Sequence, residues 1–453
     1  MEGTTGMGNE RISRRSFLTL TAGLTSAAVL AACAVPAAAP GGEAAAGGAA
    51  PAAAAADLRL TFWGDLADMP TWNWGLEEFK KEHGDINIQW ENTPWGEYWT
   101  KLQTEVAGGV TPDVVGMVSM YSQQYIRQGT LLPLNQFIER EPDVNVDDFW
   151  PAIMPAYRWE GETFAFPYDL STMALMYNKK LFDEAGVPHP VGDWTWDQFL
   201  DACQKLTKDT DGDGKIDQWG WLLPDLSGWT MDVPLTTNKA SMYNAEGTKS
   251  TLDTPEAIET IQWLADLRNV HKVVPTPGEI GDVPLFETGR AAMTWGNPEF
   301  VQVLTSRVGP PRQNDNFQWD VALFPMKQQN GNAVQGGSFA IGKSSQYVEQ
   351  AWTFLKFYTS APILKEMVGV PSRGIPGRAS IADTLVTDTN PEHQQYFLDV
   401  MDYAISTFIP VYQQAVAINK KHLDPVFLGE TTAAEACVAL AEEVNPILEK
   451  AAA

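Results

Sequence analysis

The chain has 453 residues, 44% hydrophobic and 19% charged, with a formal net charge of -26. That is a globular composition with more length than one hydrophobic core organises, so two lobes are expected. A field of that sign repels nucleic acid and anionic substrates and leaves neutral or cationic ligands open; no nucleic-acid partner is expected.

In chain order, Ser13-Arg14-Arg15-Ser16-Phe17-Leu18 precedes an apolar run that ends at Ala32. That run is about fifteen residues, short of the roughly twenty that span hydrocarbon, so residues 1–32 read as a removable signal of the twin-arginine type. Leu30-Ala31-Ala32-Cys33 resembles the lipobox of bacterial lipoproteins, which implies that Cys33 is acylated after cleavage. From residue 34 to 56 the chain is almost all Ala, Pro and Gly, a composition that buries no core and acts as a tether.

The folded part opens on alternating Leu58, Leu60 and Phe62, the period of a strand, followed by helical spacing over 74–82. Ile86, Ile88 and Trp90 alternate again, and a helix over 97–107 puts Trp99, Leu102 and Val106 on one face before Gly108-Gly109. The nearly unbroken apolar run 114–118 reads as a strand buried on both faces. Strands alternating with helices imply βαβ units and a parallel sheet, an α/β fold whose ligand crevice lies beyond the carboxyl ends of the strands. The loops there are Trp63-Gly64-Asp65, residues 91–98 and Ser119-Met120-Tyr121, rich in Trp and Tyr.

Farther on, Thr195 and Gln198 form a capping box for a helix to Leu206, and Thr254-Pro255 is expected to cap a helix to Asn269. A strand is expected over 336–341 and helices over 348–358 and 432–448. Between Leu206 and Thr254, Asp209, Asp211, Asp213, the carbonyl of Lys215 and Asp217 alternate around Gly212 in the manner of a calcium loop. Position twelve is Gly220, not the bidentate glutamate of a full EF-hand, so a structural Ca²⁺ and a metal-free Asx-rich turn both fit. Cys203 and Cys437 each sit on an apolar helical face and are expected as buried thiols.

Three segments carry a family resemblance. Residues 161–169 running into 174–179, then Gly289-Arg290-Ala291-Ala292-Met293-Thr294-Trp295-Gly296-Asn297-Pro298, then Gly336-Gly337-Ser338 through Phe354-Leu355, resemble extracellular sugar-binding proteins of the maltose-binding type (family 1) in matching order. The resemblance implies a two-lobed periplasmic-binding-protein-like fold with hinge crossings. Lobe one would be 57–168 plus about 335–368, and lobe two 169–334 plus about 369–453. It implies a monomer that captures a carbohydrate between the lobes and hands it to the permease of an ABC importer, from the outer face of the cell membrane or the periplasm.

A sugar offers apolar C–H faces and a rim of hydroxyls, so its site needs flat aromatic platforms with carboxylates and amides around them. Trp63, Trp95, Trp229 and Trp295 qualify as loop or strand-end indoles among 17 Trp, with Trp295 favoured by its match to the family loop. Asp169 would accept from hydroxyls; Tyr98, Tyr121, Asn297, Ser338 and Arg373 complete the candidates, and Trp159, Trp263 and Trp352 read as core.

Enzyme motifs are missing from the sequence: no His-Glu-x-x-His, no P-loop, no dinucleotide fingerprint, and five scattered histidines. No catalytic residue or required cofactor is assigned. The alternatives are a secreted carbohydrate-active enzyme, whose paired carboxylates have no sequence signature, or a binder of a polyamine or peptide, which carboxylates beyond Asp169 would favour.

Overall fold

The structure, a computed structural model, describes residues 56–64, 69–223, 225–281, 283–313 and 316–452. The signal segment, Cys33, the tether up to residue 55 and Asp65 lie outside the described residues.

Two sheets organise the chain. The first, six-stranded, is built from β1 (Ala56–Trp63), β2 (Ile86–Thr93), β3 (Val114–Val118), β4 (Ala165–Thr172), β9 (Val334–Ile341) and β10 (Ile375–Pro376), in the order β10-β4-β9-β3-β1-β2. Its β1, β2 and β3 pair in parallel, whereas β9 runs antiparallel between β3 and β4. The second, four-stranded, contains β5 (Ala174–Asn178), β6 (Trp219–Trp221), β7 (Ala291–Gly296) and β8 (Trp319–Ala322), in the order β8-β5-β7-β6.

The local physics follows the sequence pattern. Leu58, Leu60 and Phe62 are buried on β1, and all five residues of β3 are buried, as a strand covered on both faces requires. Helix α1 (Met69–Glu82) follows β1, and α2 (Trp95–Ala107) follows β2 and buries Tyr98, Trp99 and Leu102. Helix α3 (Ser119–Arg127) starts directly on the end of β3. Helix α4 (Trp196–Leu206) opens with the expected capping box: Thr195 Oγ1 accepts from Gln198 N–H while the Gln198 side chain accepts from Thr195 N–H. At α5 (Pro255–Asn269) the expectation of a threonine cap does not hold, because the Thr254 hydroxyl donates instead to the Thr251 carbonyl. Helix α6 (Pro298–Arg307) follows β7, α7 (Val348–Tyr358) follows β9, and α8 (Tyr412–Phe427) and α9 (Ala433–Ala452) pack on each other and on α5. Cys203 and Cys437 are buried free thiols. Among the described residues no helix is long and apolar enough to cross a membrane.

The chain passes between the sheets at two clamped points. Strand β4 ends at Thr172 and β5 begins at Ala174, with Met173 between them held by Asn332: its N–H donates to Asn332 Oδ1 at 3.1 Å and its carbonyl accepts from Nδ2 at 2.8 Å. Asn332 itself lies on the return from β8 to β9, and Ile405 bridges to Ala333 beside it. The boundary between sheets differs from the expected one. Asp169 to Thr172 and Ile375-Pro376 pair within the first sheet, because β4 keeps its hydrogen bonds to β9 through a register shift between Gly337 and Ser338 instead of leaving the sheet at Tyr168.

Candidate functional site

The site is built where β1, β3 and β4 end and β9 begins. Asp169 on β4 faces Gly337 on β9: its Oδ1 accepts from Gly337 N–H at 3.1 Å, and its Oδ2 pairs with Arg373 Nη1 at 3.1 Å. Arg373 is 8% exposed, with its guanidinium 5.1 Å from the ring centre of Trp72 on α1. A charge this deep is retained by its paired carboxylate and the aromatic face below it. Only glycine fits at position 337, since a Cβ would fall 2.7 Å from Asp169 Oδ1 and closer still to the Tyr168 hydroxyl.

Around this pair lies a cavity of ≈ 260 Å³. One wall carries Trp63, from the end of β1, with Trp95 edge-on to it at 5.2 Å and 79°. Trp95 is 44% exposed and forms the rim. From β9 comes Gln335, whose side-chain oxygen is buried with no hydrogen-bond partner among the described residues. The opposite wall carries Glu299 on the first turn of α6, which hangs from the second sheet. Asn297 caps α6 by accepting from Phe300 N–H at 3.0 Å and donates to Ser171 Oγ at 3.3 Å; the Gln302 amide donates to the Pro371 carbonyl, drawing α6 onto the segment that carries Arg373. The first sheet and its connections therefore supply most of the lining, and the helix that follows β7 of the second sheet adds Glu299. Burial, reinforced by Asp169, holds the Tyr168 phenol well above its ordinary range, so it remains neutral.

Of the residues expected from sequence, Trp63, Trp95, Asp169 and Arg373 meet here, and Asn297 stands one hydrogen bond away. The others go elsewhere. Tyr98 lies one turn inside α2 facing the sheet, 1% exposed, with its hydroxyl donating to the Gly116 carbonyl at 2.6 Å. Ser338 falls just past the register shift, so its side chain leaves the cavity side and donates to the Met117 carbonyl at 3.1 Å. Trp295 is an inner residue of β7, 7% exposed, packed on Trp221 and Phe324 beneath the second sheet. Tyr121 sits on α3 rather than in a loop, with its ring 4.1 Å from Trp99 and edge-on to Tyr412 at 5.3 Å. Trp229 donates its backbone N–H to the same Tyr412 hydroxyl at 2.9 Å, so both belong to a seam joining α3 to α8. Sequence reasoning missed Glu299, Gln335, Ser171 and Tyr168.

The acidic loop folds as a tight turn with Gly212 and Gly214 at φ of 80° and 88°. Carboxylate oxygens of Asp209, Asp211 and Asp217 converge within 4.8 Å. Asp213 is not in that group of carboxylates: it accepts from Lys215 N–H at 2.8 Å, and its other oxygen faces the Lys215 ammonium at 3.8 Å. The N–H groups of Gly214 and Gly212 hold the Asp209 carboxyl below the usual carboxylate range. A second convergence, Asp320, Glu392 and His393, is bridged by the Lys179 ammonium at 3.3 Å from Asp320 and 3.1 Å from Glu392.

A larger cavity of ≈ 630 Å³ opens between Pro155, residues 236–245 and residues 404–409. Among the described residues its only charged lining residue is Lys239, and it carries no indole. Flat rings and a carboxylate–guanidinium pair converge in the smaller cavity, which also sits at the strand ends where α/β sheets place ligands.

The model of the bacterial extracellular solute-binding protein family matches residues 63–363. The chain belongs to this family. An arabinooligosaccharide-binding protein from Halalkalibacterium halodurans is 28% identical over 226 residues, 48% of this chain and 47% of that relative, so the chain spans about half of the relative's length. An erythritol/L-threitol-binding protein from Mycolicibacterium smegmatis is 23% identical over 341 residues, 68% of each chain. An ABC substrate-binding protein from Listeria monocytogenes, solved in complex with cycloalternan, superposes with a TM-score of 0.76 at 22% identity, covering 87% of this chain and 99% of that one. The two-sheet architecture is thus the two-lobed fold of extracellular solute-binding proteins, which are binding proteins rather than enzymes and work outside the cytoplasm.

Proposed function

We propose that this solute-binding protein captures a carbohydrate in the cavity bounded by Trp63, Trp95 and Asp169 and delivers it to the permease of an ABC importer. The observation that carries the reading is the joint placement, in one cavity lined from the first sheet and from α6, of two indoles and a carboxylate fixed by Arg373 and Gly337 N–H. An indole face suits the C–H face of a sugar ring, and an oriented carboxylate accepts from its hydroxyls. With Glu299 on the opposing wall, a ligand touching both sides favours the closed arrangement by its extra contacts there. The names of the relatives, which bind an arabinooligosaccharide and a tetritol, point the same way.

In this reading the chain performs no chemistry on its ligand and works as a monomer held to the membrane by acylated Cys33 through the 34–56 tether. Asp209, Asp211 and Asp217 give loop 209–217 an all-oxygen donor set suited to a structural Ca²⁺. One observation favours a second reading: Glu299 adds a carboxylate beyond Asp169, which suits a cationic ligand such as a polyamine.

A thermal-shift screen of the purified chain separates these readings. A cognate mono- or oligosaccharide raises the melting temperature by mass action on the folded state. A shift with spermidine and none with any saccharide contradicts the carbohydrate reading, and saccharide turnover contradicts the binding-only role.

A further inference from the structure

We propose that the cavity takes a single, uncharged, unphosphorylated sugar ring, and that the Gln335 side-chain oxygen accepts from one of its hydroxyls; this rests on the carbohydrate reading. The first ground is size. The ≈ 260 Å³ available falls below the roughly 300–1,000 Å³ typical of sites for larger organic ligands. It corresponds to about nine waters at ~30 Å³ each, room for one ring with its hydroxyls. Past Trp95, the exposed rim, a second sugar unit would extend toward solvent.

The second ground is the balance of donors and acceptors. The lining holds the carboxylates of Asp169 and Glu299, the Gln335 amide and the Ser171 hydroxyl, which already accepts from Asn297, against two indole N–H groups and the guanidinium of Arg373, which already pairs with Asp169. Carboxylate acceptors select a guest that presents donors, which a free sugar hydroxyl does and the ionised phosphate that replaces it in an ester does not. Gln335 sharpens this point. Its oxygen is buried beside the cavity and lacks a partner among the described residues, a costly state that a turn of the amide onto a ligand hydroxyl relieves. The third ground is charge: two carboxylates and one guanidinium leave the wall net negative, so a phosphate would be placed against like charge.

Isothermal titration of the purified chain tests this with free pentoses and hexoses, their phosphate esters, maltotriose, arabinotriose and spermidine. The expected result is that at least one free monosaccharide binds and its phosphate ester binds at least about a hundredfold more weakly. The matching trisaccharide should bind no more than about tenfold more tightly. Gln335→Met, equal in length and lacking the oxygen, should weaken the best ligand about tenfold while leaving the unliganded melting temperature unchanged or raised. Trisaccharide binding without monosaccharide binding, equal affinity for a phosphate ester, or an unaffected Gln335→Met overturns the proposal and leaves the carbohydrate reading standing. Spermidine binding with no saccharide binding, or no binding in any arm, removes both.

Discussion

The cavity at the strand ends and the acidic turn at 209–217 both gather carboxylates, but they treat them in opposite ways. In the turn, each carboxylate is satisfied by backbone N–H groups two to seven residues away, all of it exposed. In the cavity, Asp169 is met by groups 168 and 204 residues away, and the Gln335 side-chain oxygen has no partner among the described residues. Local satisfaction in water leaves little free energy for an uncharged guest to gain; buried oxygen assembled over long range leaves a demand that such a guest can meet. The difference locates recognition in the cavity, and four experiments press on it.

The largest expected effect separates cavity wall from interior. Trp295→Ala should cost about 3–5 kcal/mol of stability, as loss of a buried Trp does, with ligand affinity of the folded protein unchanged. Intact stability in denaturant with ligand binding abolished would instead return Trp295 to the site.

The next concerns a carboxyl buried completely. Burial pushes Asp232 up to about 6, against the Thr407 hydroxyl and Met242 N–H that bond its ionised form. A raised folded-state value means the stabilising contribution is complete below the unfolded value near 4 and is lost as pH rises through about 6. Asp232→Asn, which can keep both bonds, should match the parent near pH 4 and exceed its stability by about 3 kcal/mol above pH 6. Parallel stability curves for the two proteins across that window would show that the carboxyl ionises freely when buried.

Third, Trp95→Ala at the exposed rim should lower affinity by about 1 kcal/mol, with unliganded stability moving by less than about 0.5 kcal/mol. A large loss of stability would place that indole in the core. The smallest effect belongs to the turn. Adding Ca²⁺, or changing Asp209 to Asn, should move the melting temperature by less than about 2 °C and leave sugar affinity unchanged, since a locally satisfied exposed turn transmits little. Strong dependence of sugar affinity on Ca²⁺ would erase the contrast between the two regions.

The sheet was legible where residue period decided it: alternation over Leu58–Phe62 and the apolar run Val114–Val118 each became a strand, and the Thr195–Gln198 box became a helix start. Trp63 was legible for a related reason, since strand ends in an α/β sheet face the crevice, and Asp169 through the family resemblance that set it at the crossing between lobes. Side-chain direction was not legible where one residue of phase decides it. Tyr98 adjoins Trp99 on a helix whose buried face is wide enough for both. Ser338 turns inward because the register shift falls between it and Gly337, and that shift depends on β4, more than 160 residues earlier. Gln335 and Glu299 had no local signal at all: one stands in an apolar strand and the other looks like an ordinary first-turn acid, and only the approach of the two sheets makes them neighbours.

The most direct test is a crystal structure of the protein with the sugar that shifts its melting temperature most. The expected density is one ring lying against Trp63 and Trp95, with hydroxyls on Asp169 and on the Gln335 oxygen, and with Glu299 closing from the far side. A ring bound instead in the larger cavity beside Lys239 and Phe408, with Asp169 and Gln335 untouched, would contradict the assignment.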